Sequence, residues 1–288
     1  MSTLISNQAH LSFAYDETTG TAVSNIATTT MLDPLGVSKS ALGPEYRLGE
    51  ELTDIFTLEN NSTSPWTGIQ VLDDLGSYLV GGLLLVTPLT YVGPAYLYIE
   101  GVYFSELTPV VTTHSVSFVV ASLAAGETAT IVYKALVNEF APGAPGSTIE
   151  NTAVITAVSM TGSLEASTIV TVEDYVDVQI VKSMYPDPVT EGELLTYHFD
   201  IYNYGNTAAT DVVLTDTFLP APATVSVSVD GVPIDPTQFD YLAGVLTLPN
   251  ALAILSITIP AADFVQDPVT GIYTVNPGIV SITVSGAV

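Results

Sequence analysis

Along most of this chain apolar and polar residues alternate one by one, in short runs broken by Gly, Pro, Asn or Asp. Val225–Val229 (VSVSV) and Ser281–Val284 (SITV) follow this rule throughout, and Ser115–Val120 (SVSFVV) and Thr128–Tyr133 (TATIVY) over their first four residues. A period of two sends successive side chains to opposite faces, which is the pattern of a half-buried strand. The runs end at turn residues such as Ala125-Gly126-Glu127 and Asp230-Gly231. No stretch carries the 3.6-residue apolar stripe of a helix. Many short strands at regular spacing predict an all-β chain of antiparallel sandwiches.

Part of the pattern occurs twice. VSKSALGPEYRLGEELTDIFTLEN, starting at Val37, matches IVKSMYPDPVTEGELLTYHFDIYN, starting at Ile180. Counted from Lys39 and Lys182, a Gly-Glu pair follows at +10 and +11 (Gly49-Glu50, Gly192-Glu193). A Thr follows at +14 (Thr53, Thr196), an Asn at +21 (Asn60, Asn203) and an Asp at +34 (Asp73, Asp216). Only four residues of 288 are Lys or Arg, so two lysines in register mark positions the chain uses.

A second repeat is out of step with the first. STIENTAVITAVSMTGSLEASTIVTVEDYV, starting at Ser147, reads as a hairpin with its turn at Thr161-Gly162. STLISNQAHLSFAYDETTGTAVSNIATTTM, starting at Ser2, reads as the same hairpin, with its turn at Thr19-Gly20 and Asn7 opposite Asn151. The expected organisation is therefore an N-terminal donor hairpin (1–36), a complete sandwich (37–172) and a sandwich lacking its closing hairpin (173–288).

Composition narrows the partners. A formal charge of −26 leaves no Lys/Arg patch for phosphate, so nucleic acid and anionic membranes are excluded as partners. Hydrophobic residues make up 48%, enough for packed cores rather than disorder. With no cysteine, disulfide staples and thiolate metal sites are excluded. No run of 18 apolar residues exists; the nearest, 78–99, is interrupted by Gly81-Gly82, Pro88 and Gly93-Pro94, so membrane insertion is not expected. MSTLISNQAHLSF has neither a basic start nor a continuous apolar core, so no secretory signal is expected.

The blocks VQIVKSM, GELLTYHFDIYNYGNTAATDVVLTDTF and GSTIENTAVIT resemble a conserved-repeat family of bacterial surface proteins, the eleventh in its series of domains of unknown function. The second copy follows that pattern through Pro220. The first departs at Asp54, where the family has Tyr, and at Asn61-Ser62-Thr63-Ser64, where it has Asn-x-Gly. The resemblance implies tandem immunoglobulin-like sandwiches in a surface or fibrous protein, and no enzymatic activity on an external substrate.

It also implies a covalent site, because related domains join a first-strand lysine to a last-strand asparagine by an isopeptide bond. By that resemblance the first set is Lys39 and Asn151 with Asp73 as helper, and no cofactor is involved. The amine must attack uncharged, which burial favours, and a buried protonated carboxyl would polarise the amide. In the second set Lys182 and Asp216 find no asparagine in a following hairpin, and Asn7 is the substitute. An intramolecular route folds residues 1–33 back over the first sandwich. An intermolecular route donates them to a neighbour, and the equivalence of the two joints favours it. Such head-to-tail donation does not close on itself and grows a filament of one protein. Its expected place is outside the cell or on a spore.

Other residues give weaker signals. His10, His114 and His198 lie in separate strands, without metal-ligand spacing. Glu173, Asp174 and Asp177 offer oxygen ligands suited to calcium at the joint, although a solvated acidic face is the plainer expectation. The alternative function is a monomeric adhesin or glycan binder, its hairpin folded back on its own chain and Tyr91, Tyr96 and Tyr98 as stacking residues.

Overall fold

The computed structural model describes residues 3–31, 33–158 and 160–288. It is all-β; among the described residues the only helical element is a 3-10 turn at Pro236–Gln238. Among the described residues no helix is long and apolar enough to cross a membrane.

The chain begins with a free-standing hairpin. Strands β1 (Thr3–Asn7) and β2 (His10–Tyr15) run out; β3 (Thr18–Val23) and β4 (Ala27–Met31) return. β1 pairs with β4 and β2 with β3, and among the described residues neither ladder joins another strand. The turn lies at Asp16-Glu17, not at Thr19-Gly20 as the repeat suggested. Both residues adopt positive φ, 44° and 62°, the geometry that matches the twist of a two-residue hairpin. Gly20 has a different use. It faces Phe13 across the ladder, and a Cβ there would come within 2.5 Å of the Phe13 ring, so the glycine is the seat on which that ring lies.

The first sandwich contains β5 (Leu35–Ala41), β6 (Glu45–Tyr46), β7 (Glu51–Asn60), β8 (Trp66–Asp73), β9 (Tyr78–Val80), β10 (Leu84–Val86), β11 (Leu89–Ile99), β12 (Val102–Leu107), β13 (Val110–Val111), β14 (Val116–Leu123), β15 (Thr128–Val137), β16 (Thr148–Thr156) and β17 (Leu164–Val172). One sheet has the order β12-β11-β15-β7-β5, the other β13-β14-β8-β16-β17-β6. Alternate residues point between them: Leu52, Phe56 and Leu58 from β7, and Ile131, Tyr133 and Ala135 from β15, all buried. Leu35 is already in this core, two residues ahead of the expected boundary at 37.

The second sandwich contains β18 (Val178–Tyr185), β19 (Leu194–Asn203), β20 (Leu214–Thr217), β21 (Ser226–Val229), β22 (Val232–Pro233), β23 (Asp240–Leu242), β24 (Val245–Leu248), β25 (Asp263–Gln266), β26 (Tyr273–Asn276) and β27 (Gly278–Ala287). Its sheets are β18-β19-β27-β21-β22 and β20-β24-β23, around a separate core that includes Phe199, Ile201, Leu246 and Ile282. The β25–β26 hairpin stands apart and braces the first sandwich. Tyr273 N–H donates to Glu139 O (2.9 Å), Gln266 Nε2 donates to Tyr78 Oη (2.7 Å), and the Phe264 ring lies on Gly143.

Comparison of the two sandwiches explains the repeat. Gly49 and Gly192 both sit in turns at positive φ (83° and 86°), a conformation that side chains disfavour. Asn60 and Asn203 are loop clamps. Asn60 Nδ2 donates to the carbonyls of Ser64, Leu123 and Ala124, and Asn203 Nδ2 to those of Thr207 and Pro260. The difference lies at β8 and β20. β8 pairs with β14 on one side and β16 on the other, whereas β20 pairs only with β24 among the described residues. In the first sandwich, too, β17 packs over β5.

Candidate functional site: two lysine–aspartate centres

Five strands build the first centre. Lys39 points inward from β5, Asp54 from β7 and Tyr133 from β15; Asp73 ends β8, and Asn151 lies in the middle of β16. Lys39, Asp54, Asp73, Tyr133 and Asn151 are all buried. Lys39 Nζ forms an ion pair with Asp73 Oδ2, and Tyr133 Oη donates to the same oxygen. Asp73 Oδ1 accepts from Leu75 N–H at 2.8 Å. Asn151 Oδ1 accepts from Gly76 N–H at 3.2 Å, so a backbone amide already polarises the carbonyl. Only glycine fits at 76: φ is +72°, and a Cβ would meet Ile149 at 2.6 Å. Lys39, Asp73 and Asn151, singled out from sequence, thus converge on one buried site.

Asp54, seen in the sequence only as a departure from the family pattern, and Tyr133 were not assigned to the site. Burial pushes the Asp54 carboxyl up to about 7; the Lys39 cation pulls it down, Asp73 pushes it up, and the Asn151 amide pulls it down. Burial, followed by the Asp73 and Asp54 charges, raises Tyr133 as well, so its hydroxyl stays a donor. The signal for Asp54 was available. In β7 the inward positions read Leu52, Asp54, Phe56, Leu58, and a carboxylate in an apolar row needs a reason.

The second centre is half built. Lys182 Nζ lies 2.5 Å from Asp216 Oδ2 and about 5 Å from the ring centres of Tyr197, Phe199 and Phe218 (5.3, 5.2 and 5.5 Å). Tyr197 takes the place of Asp54, and Val284 that of Tyr133. The Lys182 side chain is 37% exposed, against 0% for Lys39. All of β18 is exposed, including the positions of β5's inward row: Val178, Ile180 and Met184. Asn7 is exposed in β1, whose hairpin pairs with no strand of the second sandwich.

The remaining candidates do not assemble. Both carboxylate oxygens of Glu173 are taken by Arg47 (2.7 Å each), and Arg47 also lies over Tyr175 at 4.9 Å. Among the described residues no three Asp, Glu or His side chains converge to hold a metal ion, and Glu173, Asp174 and Asp177 are not brought together as such a group. Glu173 instead helps fasten the joint. Tyr91 is half-buried, its ring against Phe118 and Tyr133 of the core. Tyr96 and Tyr98 do lie near the surface, edge-on to Tyr103. His114 Nδ1 pairs with Thr87 Oγ1 at 2.7 Å, and His10 and His198 sit elsewhere.

A family model described as translocon-associated protein beta (TRAPB) matches residues 157–223, well short of half the chain. No curated relative matches the sequence. Among solved structures, the major pilin subunit BcpA of Bacillus cereus aligns at 13% identity, covering 93% of this chain and 77% of the pilin, with a TM-score of 0.39. A 35 kDa C-terminal fragment of the major pilin GBS80 of Streptococcus agalactiae aligns at 11% identity, covering 88% and 80%, with a TM-score of 0.38. A family 123 glycoside hydrolase from Clostridium perfringens aligns at 10% identity over 49% of this chain and 27% of its own, with a TM-score of 0.32. Likeness at this level does not extend to function.

Proposed function

We propose that this protein is the structural subunit of a surface filament, on a cell or a spore. One subunit's N-terminal hairpin completes the second sandwich of the next, and Lys-Asn isopeptide bonds seal both sandwiches. The observation that carries the reading is a matched pair of vacancies. The edge of β20 that no strand pairs with among the described residues corresponds to the edge of β8 that β16 covers in the first sandwich, and the β1–β4 hairpin pairs with no strand outside itself among those residues.

One row of the two hairpins also agrees in residue type. The buried row of β16 is Ile149, Asn151, Ala153, Ile155, and its counterpart in the free hairpin is Ile5, Asn7, Ala9, Leu11. In the first sandwich Ala153 pairs with Asp73 and Ile155 with Val71. The corresponding register sets Ala9 against Asp216 and Leu11 against Leu214, which brings Asn7 to the Lys182 centre. Strand addition satisfies the backbone groups of an open edge, and burial of Ile5, Leu11, Val178, Ile180 and Met184 drives it.

The covalent step balances within the site. Lys39 Nζ gives a proton to Asp73 and attacks Asn151 Cγ; the new Cγ–Nζ bond replaces Cγ–Nδ2, and ammonia leaves. Contact between the amine and the amide supplies the effective concentration. Intact-mass spectrometry of the assembled protein tests this. Two losses of about 17 Da per subunit and ladders that survive boiling in denaturant are expected, since each bond releases one ammonia. A single species at the sequence mass removes the covalent part. A monodisperse native monomer removes the filament.

A further inference from the structure

Asp54 is the unexplained member of the first centre. Among the described residues exactly two buried side-chain polar atoms lack a hydrogen-bond partner of good geometry: Asp54 Oδ2 and Asn151 Nδ2. Native structures leave few such atoms, and each calls for a reason. Both belong to one site, and the Asn151 amide is near enough to act on the Asp54 carboxyl. The Asn151 nitrogen is also the atom that must depart if Lys39 closes on Asn151.

We propose that Asp54 is the general acid of the first sandwich, protonating Asn151 Nδ2 as the Cγ–Nδ2 bond breaks. The inference rests on the covalent reading given above. Asp73 cannot do this work as well, because its carboxylate is held by Lys39 and Tyr133 and takes the first Lys39 proton. Asp54 gives its proton to the leaving nitrogen, which departs as ammonia. It then recovers a proton from Nζ, which ends as an amide N–H. Asp73 finishes protonated and Asp54 unchanged, so the buried charge pair is neutralised without any outside reagent.

The titratable groups facing Asp54 are Lys39 from β5, Asp73 from β8 and Tyr133 from β15. Burial first, with the Asp73 charge, outweighs the opposing Lys39 cation and holds the carboxyl protonated to about pH 7, the state an acid requires. The second centre has Tyr197 at this position, so its closure does not use a carboxylic acid there.

The test refolds the full chain from denatured inclusion bodies at set pH and follows the Lys39–Asn151 cross-linked peptide by mass spectrometry. Wild-type closure is expected to slow as pH rises through about 7. Asp54→Asn, checked for native circular dichroism, should close about 100-fold more slowly, the usual size of a general-acid contribution, with no pH dependence in that range. The Lys182–Asn7 link should form at its wild-type rate. Wild-type speed and pH profile in Asp54→Asn overturn the assignment. If that variant does not fold, the wild-type profile decides: a rate that rises through pH 7 overturns it. Absence of any cross-linked peptide in the wild type overturns the covalent reading and, with it, the role of Asp54.

Discussion

Leu11→Ala probes the matched hairpins without touching either sandwich. Leu11 is 62% exposed in the free hairpin, whereas its counterpart Ile155 is 0% exposed in the first sandwich. Docking therefore moves more than half of a leucine side chain out of water, a gain of about 1–2 kcal/mol. Truncation also leaves a cavity against β20, which raises the loss to about 2–3 kcal/mol. At 1.4 kcal/mol per tenfold, association should weaken by about 30- to 140-fold. An Asn7→Ala background keeps the joint reversible, and sedimentation velocity across a concentration series reads the assembly. Monomer melting should change little, because Leu11 belongs to neither sandwich core. Leu83→Ala, at an equally apolar but 94% exposed turn position, is the control and should assemble normally. If Leu11→Ala assembles as tightly as the control, the hairpin does not seat as β16 does, and the argument fails.

Three further outcomes are expected. Lys182→Ala should abolish the denaturant-resistant link between subunits while the first sandwich keeps its own 17 Da loss, about one ammonia; gels and peptide mapping read both. The folded Asp54 carboxyl titrates at about 7, and the unfolded one at about 3.9. Between these values only the folded state keeps the proton, so stability falls as pH rises from about 4 to about 7 and is level above. Asp54→Asn should lose that slope, gaining on the order of a few kcal/mol over wild type by pH 7 in chemical denaturation. Phe264→Ala should loosen the joint by removing the ring that lies on Gly143, at a cost of about 2–3 kcal/mol to the braced state. Spin-label distances between the sandwiches should broaden, while the melting of each is kept.

Much of the first centre was legible because its members lie at fixed spacings on strands whose faces alternation defines. Lys39 and Asp73 lie at one spacing in two copies and Asn151 in the second repeat, and the family resemblance implied that the three form one site. Asp54 was noticed only as a departure from a family pattern. Its inward position could be read from β7, but its neighbours could not, since they arrive from β8, β15 and β16. The turn of the N-terminal hairpin was misread for a similar reason. Gly20 looks like a turn residue in sequence, and only the ladder shows that it lies beneath Phe13.

The sequence by itself determined strand type, the two in-register openings and the displaced hairpin, because a period of two and short-range turn chemistry act between near neighbours. Only the tertiary structure decided that one lysine is sealed and the other half exposed. Burial depends on which strand covers a sheet edge, and β16 covers β8 while, among the described residues, β20 pairs only with β24. The same non-local packing set the charge environment of Asp54 and pressed β25–β26 against the first sandwich. Two lysines that are equivalent in the chain thereby become unequal in the fold.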